Sequence, residues 1–270
     1  MILVTGSTGA LGSAILTALT TQGVKAEGSS RSLQAGMRVI DFDRPSTVDF
    51  TGVETLVLVS AGEAEDDVVI ARHQAAITAA QRDGVTHIVY TSLTSSGDHL
   101  AFALAHRWTE NHLQESGISW TILRNGLYAE LFGSMLTWSD GRLHSAFGNG
   151  ALAAVAREDL AAVAAIVSTT PENHAGQTYD LVGSPITAAE VAAALNTNLN
   201  DTPLDKRRDE LLVAELKPFQ PAMLMSIYTS VRHGFLGNTS GDLESLLRRR
   251  PKDAITVAAS ATATSGPSAP

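Results

Sequence analysis

The residues best suited to chemistry stand at the start of the chain, in MILVTGSTGALGSAILTAL, where Gly6, Gly9 and Gly12 recur at intervals of three. The apolar residues 1–4 before them read as a buried strand. After them Leu11, Ala14, Ile15, Ala18 and Leu19 repeat at the spacing of one helical face. Strand, glycine turn and helix in that order can hold a phosphate. Gly6 permits the tight turn, Gly9 lets the backbone approach a pyrophosphate, and Gly12 lets the helix lie close to the sheet with its N-terminus toward the charge. Thr5, Ser7 and Thr8 offer hydroxyl donors nearby. A turn that uses glycine for steric reasons alone is the competing reading. The missing Gly-Lys-Ser/Thr ending excludes a kinase-type phosphate loop.

The second strand ends Gly28-Ser29-Ser30-Arg31, without the carboxylate that would bind a ribose 2′-hydroxyl there; Glu27 lies earlier, within the strand. Ser30 and Arg31 instead present a hydroxyl and a guanidinium fork suited to a 2′-phosphate. NADPH is therefore expected, with NADH as the other candidate, against the plain alternative that Arg31 is a solvated loop residue. Asp41-Phe42 either lines the adenine or simply ends a strand.

Proton chemistry has fewer candidates. Four residues after Tyr90, Tyr128, Tyr179 and Tyr228 stand Thr94, Phe132, Gly183 and Arg232, so no Tyr-x-x-x-Lys pair exists, and the lysines are confined to positions 25, 206, 217 and 252. A quinone or another conjugated acceptor spreads the charge that hydride brings and tolerates the lack of such an acid. His106 and Glu110, one turn apart, suit either a proton relay or a helix-surface pair. Tyr128, Phe132, Met135 and Trp138 suit either an apolar wall for a flat acceptor, with Tyr128 also a catalytic candidate, or ordinary core. Eight histidines show no ligand spacing, so no metal is expected.

The elements that must position these groups alternate. Strands are expected over 1–4, 24–30, 38–42, 55–60, 87–91 and 119–123, with helices over 67–82 and 102–115, which describes an α/β, doubly wound parallel sheet whose ligands sit at the carboxyl ends of its strands. Beyond Asn125 the pattern predicts a turn at Ser139-Asp140-Gly141, helices over 157–168, 187–195 and 205–216, and a short strand over 177–181. Thr187 and Glu190 form a capping box at the start of the second of those helices. The small-residue, Ser/Thr/Pro-rich end of the chain, 251–270, reads as a disordered tail.

With 28 acidic against 19 basic residues the net charge is −9, which disfavours nucleic acid and anionic membranes as partners. No run approaches a membrane span, the N-terminus does not read as a secretion signal, and a cytoplasmic location is expected. The absence of cysteine removes disulfides and thiolate chemistry.

TGSTGALG at the start, AAQRDGVTHIVYTSL at 79–93, HRWTENHLQESGISWTILRNGLYAE at 106–130 and VAREDLAAVAA at 155–165 together resemble the NmrA-like, atypical short-chain dehydrogenase/reductase family, in particular its bacterial quinone oxidoreductases and triphenylmethane reductase. The resemblance implies a Rossmann-like domain over 1–126 with segments around 151–182 returning to it, and a smaller C-terminal α/β substrate domain over 127–250. It assigns the pyrophosphate to Gly6, Thr8, Gly9, Ala10, Leu11 and Gly12, the 2′-phosphate to Arg31, and the ribose and nicotinamide side to Ser60, Ala61, Thr91 and Ser92. Where some relatives carry a lysine, this chain reads Thr109-Glu110-Asn111. The expected activity is NADPH-dependent reduction of a small quinone or similar acceptor, in a chain that admits a homodimer. NmrA-type regulators, which bind NADP(H) without turnover, remain the alternative.

Overall fold

Seven short segments build one parallel sheet in the computed structural model, which describes residues 1–264. They are β1 (Ile2–Val4), β2 (Ala26–Ser30), β3 (Met37–Val39), β4 (Thr55–Val59), β5 (His87–Leu93), β6 (Ser119–Asn125) and β10 (Gln177–Leu181), in the order β10-β6-β5-β4-β1-β2-β3. Every pairing in it is parallel. Alternation along the strands sends residues to two different cores. Val4, Val57, Val89 and Leu123 meet Ile15 of α1 (Ala10–Thr21) and Leu160 of α5 (Arg157–Thr169). Leu3, Leu56, Leu58, Tyr90 and Ile122 meet Ile77 of α2 (Asp66–Asp83) and Leu113 of α3 (Ala103–Glu115). The left-handed Gly84, at φ +77°, ends α2 where the sequence places its stop.

The expected sixth strand is thus followed by a seventh, because β10 pairs with β6 at the sheet edge. The third strand is shorter than expected, ending at Val39.

Residues after β6 form a separate core. It involves α4 (Ala129–Ser134), the hairpin of β7 (Thr137–Ser139) and β8 (Arg142–Ser145), the β9 (Ala151–Ala153) and β11 (Pro185–Thr187) pair, α6 (Ala188–Ala194), β12 (Leu199–Asp201), α7 (Leu204–Val213) and α8 (Gln220–Arg232). The capping box forms at α6: Glu190 accepts from the Thr187 amide at 2.8 Å, and the Glu190 amide donates to the Thr187 hydroxyl at 3.3 Å. The short α9 (Asp242–Leu247) returns Leu243 and Leu247 to the core beside α5.

One expectation is corrected. Much of the supposed disordered tail, 251–270, is α10 (Ala254–Thr264), with Ala258 and Thr262 fully buried, while residues 265–270 lie outside the described part. Small residues here serve close packing. A Cβ on Gly133 would fall 2.1 Å from the Ala258 carbonyl oxygen, so α4 and α10 touch backbone to backbone. The Thr262 hydroxyl, 3.0 Å from the Gly133 carbonyl and 2.8 Å from that of Ala258, and the Trp138 indole, which donates to the Thr262 carbonyl at 3.2 Å, tie them together. Among the described residues no helix is long and apolar enough to cross a membrane, and no group of acidic residues and histidines could hold a metal.

Candidate functional site

The turn after β1 has the shape of an anion cradle. Gly6 sits at φ +59°, and its carbonyl accepts from the Gly9 amide at 2.9 Å. A Cβ on Gly12 would stand 2.4 Å from that carbonyl oxygen, so only glycine lets α1 approach so closely. Gly9 is the helix N-cap, exposed, with no side chain capping the first turn and no acidic residue in it. The amides of Ala10, Leu11 and Gly12 are therefore among the groups that helix geometry leaves without an intrahelical partner. These observations fit a bound pyrophosphate.

Two of the three hydroxyls expected there are committed elsewhere. The Thr5 hydroxyl accepts from the Val59 amide at 2.9 Å, and Ser7 donates to the Val4 carbonyl at 2.6 Å while accepting from the Ser29 amide at 3.1 Å. They stitch β1 to β4 and β2. Thr8 alone is exposed at the turn.

Arg31 is exposed just past β2, and its charge helps hold the carboxyl groups of Asp43 and Glu63 below their ordinary range; the larger causes are the hydrogen bonds from Arg72 and Lys217 respectively. The Ser30 hydroxyl accepts from the Ser32 amide at 3.3 Å and is buried. Phe42 packs on the core, and Asp41 accepts from the Asp43 amide at 3.1 Å, closing its own turn.

At the carboxyl ends of β4 and β5 the structure brings Ser60, Ala61, Thr91 and Ser92 together. The Ser60 amide donates to the Thr91 hydroxyl at 3.0 Å, and the Ala61 amide to His73 Nε2 at 3.0 Å. Ser92 donates to Glu110 at 2.6 Å. Buried polar atoms without a protein partner line this edge: Ser60 Oγ after β4, Thr94 Oγ1 after β5, Asn125 Oδ1 at the end of β6 and Asp180 Oδ1 one residue before the end of β10. Such atoms are costly unless a ligand or water reaches them. Four adjacent strands ending this way suit the edge at which doubly wound sheets bind ligands.

His106 and Glu110 do not pair. Glu110, 3% exposed, is held by Arg107 at 2.7 Å and by Arg124 at 2.6 and 3.0 Å. His106 Nδ1 lies instead 2.9 Å from the Tyr90 hydroxyl. Burial raises the Tyr90 phenol pKa and pushes that of His106 down to about 4. Phenol and imidazole are therefore both neutral near neutral pH. Asn111 is exposed on the far side of the helix register from Thr109 and Glu110, which are buried.

The aromatic wall is not a single surface. Phe132 and Met135 are 1% and 5% exposed, and Phe132 stacks on Phe147 at 4.5 Å within the separate core. Trp138 turns toward α10. Tyr128 stands apart from them, packed on the cluster that contains Val4, Leu11 and Val155, with the Arg157 guanidinium 4.9 Å from its ring. Their one-turn spacing satisfies a core helix as well as a wall, and here Phe132 and Met135 are core.

Three residues at this edge were not singled out from sequence. Arg72 grips Asp43 with two bonds, at 2.6 and 2.9 Å, and reaches the Ala61 carbonyl at 3.3 Å. His73 is fully buried. Lys217, far along the chain, meets Glu63 at 2.9 Å, beside the turn after β4. A signal for His73 exists, since it shares the buried stripe of α2 with Val69, Ala76, Ile77 and Ala80, where a polar side chain needs a reason.

The sequence profile of a family described as NAD(P)H-binding matches residues 6–171. Quinone oxidoreductase 2 of Escherichia coli is 34% identical over 212 residues, covering 72% of this chain and 73% of that protein. The structure of Citrobacter sp. triphenylmethane reductase complexed with NADP(H) superposes with a TM-score of 0.85 at 25% identity, covering 97% of this chain and all of that one (100%). An NADPH-dependent quinone oxidoreductase of Escherichia coli complexed with NADPH gives 0.84 at 28%, covering 96% and 99%. With a family profile across more than half of its length and a relative above 30% identity across nearly three quarters, on a seven-stranded parallel sheet with a glycine cradle, the chain belongs to the NAD(P)H-binding, NmrA-like family of oxidoreductases.

Proposed function

We propose that the protein is an NADPH-dependent reductase that delivers hydride to a quinone or a similar conjugated acceptor without a dedicated proton donor. The observation that carries this reading is the Tyr90–His106 pair: a phenol kept protonated by burial stands 2.9 Å from an imidazole kept neutral by burial, so neither holds an acidic proton near neutral pH. A ketone would need one, because its oxygen takes full negative charge. A quinone spreads that charge over its ring and takes its second hydrogen as a proton from solvent.

Gly6, Thr8, Gly9 and the first-turn amides of Ala10, Leu11 and Gly12 would hold the pyrophosphate, and Arg31 the 2′-phosphate. The Ser60–Ala61 turn, backed by Thr91 and Ser92, would line the nicotinamide side. When bound, the cofactor supplies the hydride and both electrons. The chain's contribution is placement, since reacting atoms must approach to about 3–3.5 Å. The C-terminal substrate part would close over the acceptor. Phe235, 57% exposed and 4.9 Å from the His99 ring, offers a flat apolar surface between the segment after β5 and α8, where the Ser226 hydroxyl accepts from the Ala101 amide at 3.3 Å.

Steady-state oxidation of NADPH and NADH with a panel of quinones, triarylmethane dyes and simple ketones tests the reading. Turnover is expected with the conjugated acceptors and not with ketones. Efficient ketone reduction would overturn it, and tight NADPH binding with no turnover on any acceptor would favour a redox-sensing role.

A further inference from the structure

The turn that ends β4 is held more firmly than a surface turn needs to be. Three of its backbone atoms are pinned by side chains from two other elements: the Ser60 amide by Thr91 of β5, the Ala61 amide by His73 Nε2 and the Ala61 carbonyl by Arg72 Nη1. Arg72 and His73 are consecutive on α2, so one helical step grips the two peptide groups that flank a single residue, Ala61. The far end of Arg72 is fixed in turn by its two bonds to Asp43, after β3.

The hydrogen bonds dictate the imidazole's tautomer. The Thr109 hydroxyl donates to the Ala105 carbonyl at 2.7 Å, so it can only accept from His73 Nδ1, 2.8 Å away. Nδ1 therefore carries the proton, and Nε2 is free to accept from Ala61. Burial pushes the His73 pKa down to about 3, and the Tyr90 ring closes the site edge-on at 5.5 Å. The charged and titratable groups around the ring are Arg72 beside it and His106 on α3, both of which oppose a second positive charge. A leucine would fill this apolar site without the cost of burying a polar ring. What leucine cannot do is hold the Ala61 amide.

We propose that His73 is a positioning residue: through the Ala61 amide, with Arg72 on the carbonyl, it fixes the Ser60–Ala61 turn so that the nicotinamide half of the dinucleotide is held in register for hydride transfer. This rests on the reading that Ser60 and Ala61 line the nicotinamide side. His73 touches neither cofactor nor acceptor and acts through the turn. Arg72 links the next peptide group, at the Ala61 carbonyl, to Asp43, so the two ends of the cofactor groove share one rigid support.

The test is a pair of titrations on the full chain, with NADPH and with adenosine 2′,5′-bisphosphate, which lacks the nicotinamide half. In the parent, NADPH should bind more tightly than the bisphosphate; equal affinities would remove the underlying reading, independently of any variant. In His73→Leu the NADPH Kd should rise at least threefold relative to that of the bisphosphate, and kcat/KM with a quinone should fall tenfold or more. His73→Gln, whose amide oxygen can accept from Ala61, should recover most of both. His73→Asn, whose shorter amide reaches toward Thr109 only, should not. The proposal is overturned if His73→Leu keeps the parental ratio and rate, if both ligands weaken in parallel, or if glutamine performs no better than asparagine. That last comparison decides the matter even if the leucine variant fails to fold.

Discussion

The Tyr90 hydroxyl and His106 Nδ1 share a hydrogen bond of 2.9 Å, joining a fully buried strand residue to a half-buried helix residue. Because the phenol pKa lies above its ordinary value and the imidazole pKa near 4, the pair keeps one protonation state from about pH 5.5 to 8. With quinones, kcat should therefore show no inflection in that range. Tyr90→Phe and His106→Ala should each stay within about tenfold of the parent, since a positioned acid would be worth ~10² to 10⁴. A hundredfold loss in His106→Ala alone would make that histidine the proton donor.

Acid should unfold the protein through its histidines before its carboxylates. Burial pushes the pKa of His73 down to about 3, and those of His87 and His106 to about 4. The unfolded chain, with histidines near 6.5, binds their protons first, so each contributes stability that is full above pH 6.5 and is lost as the pH falls toward those values. The slope is about 1.4 kcal/mol per pH unit for each histidine. Urea midpoints at pH 7, 6 and 5 should fall steadily, and His73→Leu should make that fall shallower.

Gly9 and Gly12 should separate binding from folding. A Cβ on Gly9 meets only the Gly6 carbonyl oxygen, at 3.2 Å, whereas one on Gly12 meets that oxygen at 2.4 Å and the Gly6 carbonyl carbon at 2.7 Å. Gly9→Val should thus fold, as judged by circular dichroism, yet lose NADPH affinity at least tenfold. Gly12→Ala should lower the melting temperature as well. Retained tight binding in Gly9→Val would mean that the glycines serve the turn alone.

Arg31 should set cofactor preference. One charge-assisted contact to the 2′-phosphate is worth about 1.5–3 kcal/mol, so Arg31→Ala should weaken NADPH by tenfold or more and leave NADH almost unchanged. Equal weakening of both would assign the arginine to the fold.

Sequence was most informative where backbone and side chain obey local rules. The apolar runs of β1, β4 and β5 and the glycines at 6, 9 and 12 describe a ligand edge before any coordinates, because strand burial and helix approach are set by residues a few positions apart. It was least informative where the deciding partner is remote. Ala258 packs tightly because Gly133, on another helix, has no side chain, so α10 reads locally as a string of small residues. Phe132 and Tyr128 stand one turn apart, yet the first enters the separate core and the second faces Val155 and Arg157. His73 carried a local hint in its helical stripe, but its purpose lies in Ala61, twelve positions away across a turn.

The backbone contact between α4 and α10 also orders events during synthesis. About 120 residues separate Ser134 from Ala254, so at 5–20 residues per second the surface that α4 requires is made roughly 6–24 s after α4 itself. Through that interval the parallel sheet can close, whereas Phe132 and its neighbours wait with one side uncovered. The core around Phe132 is thus the part of the nascent chain completed last.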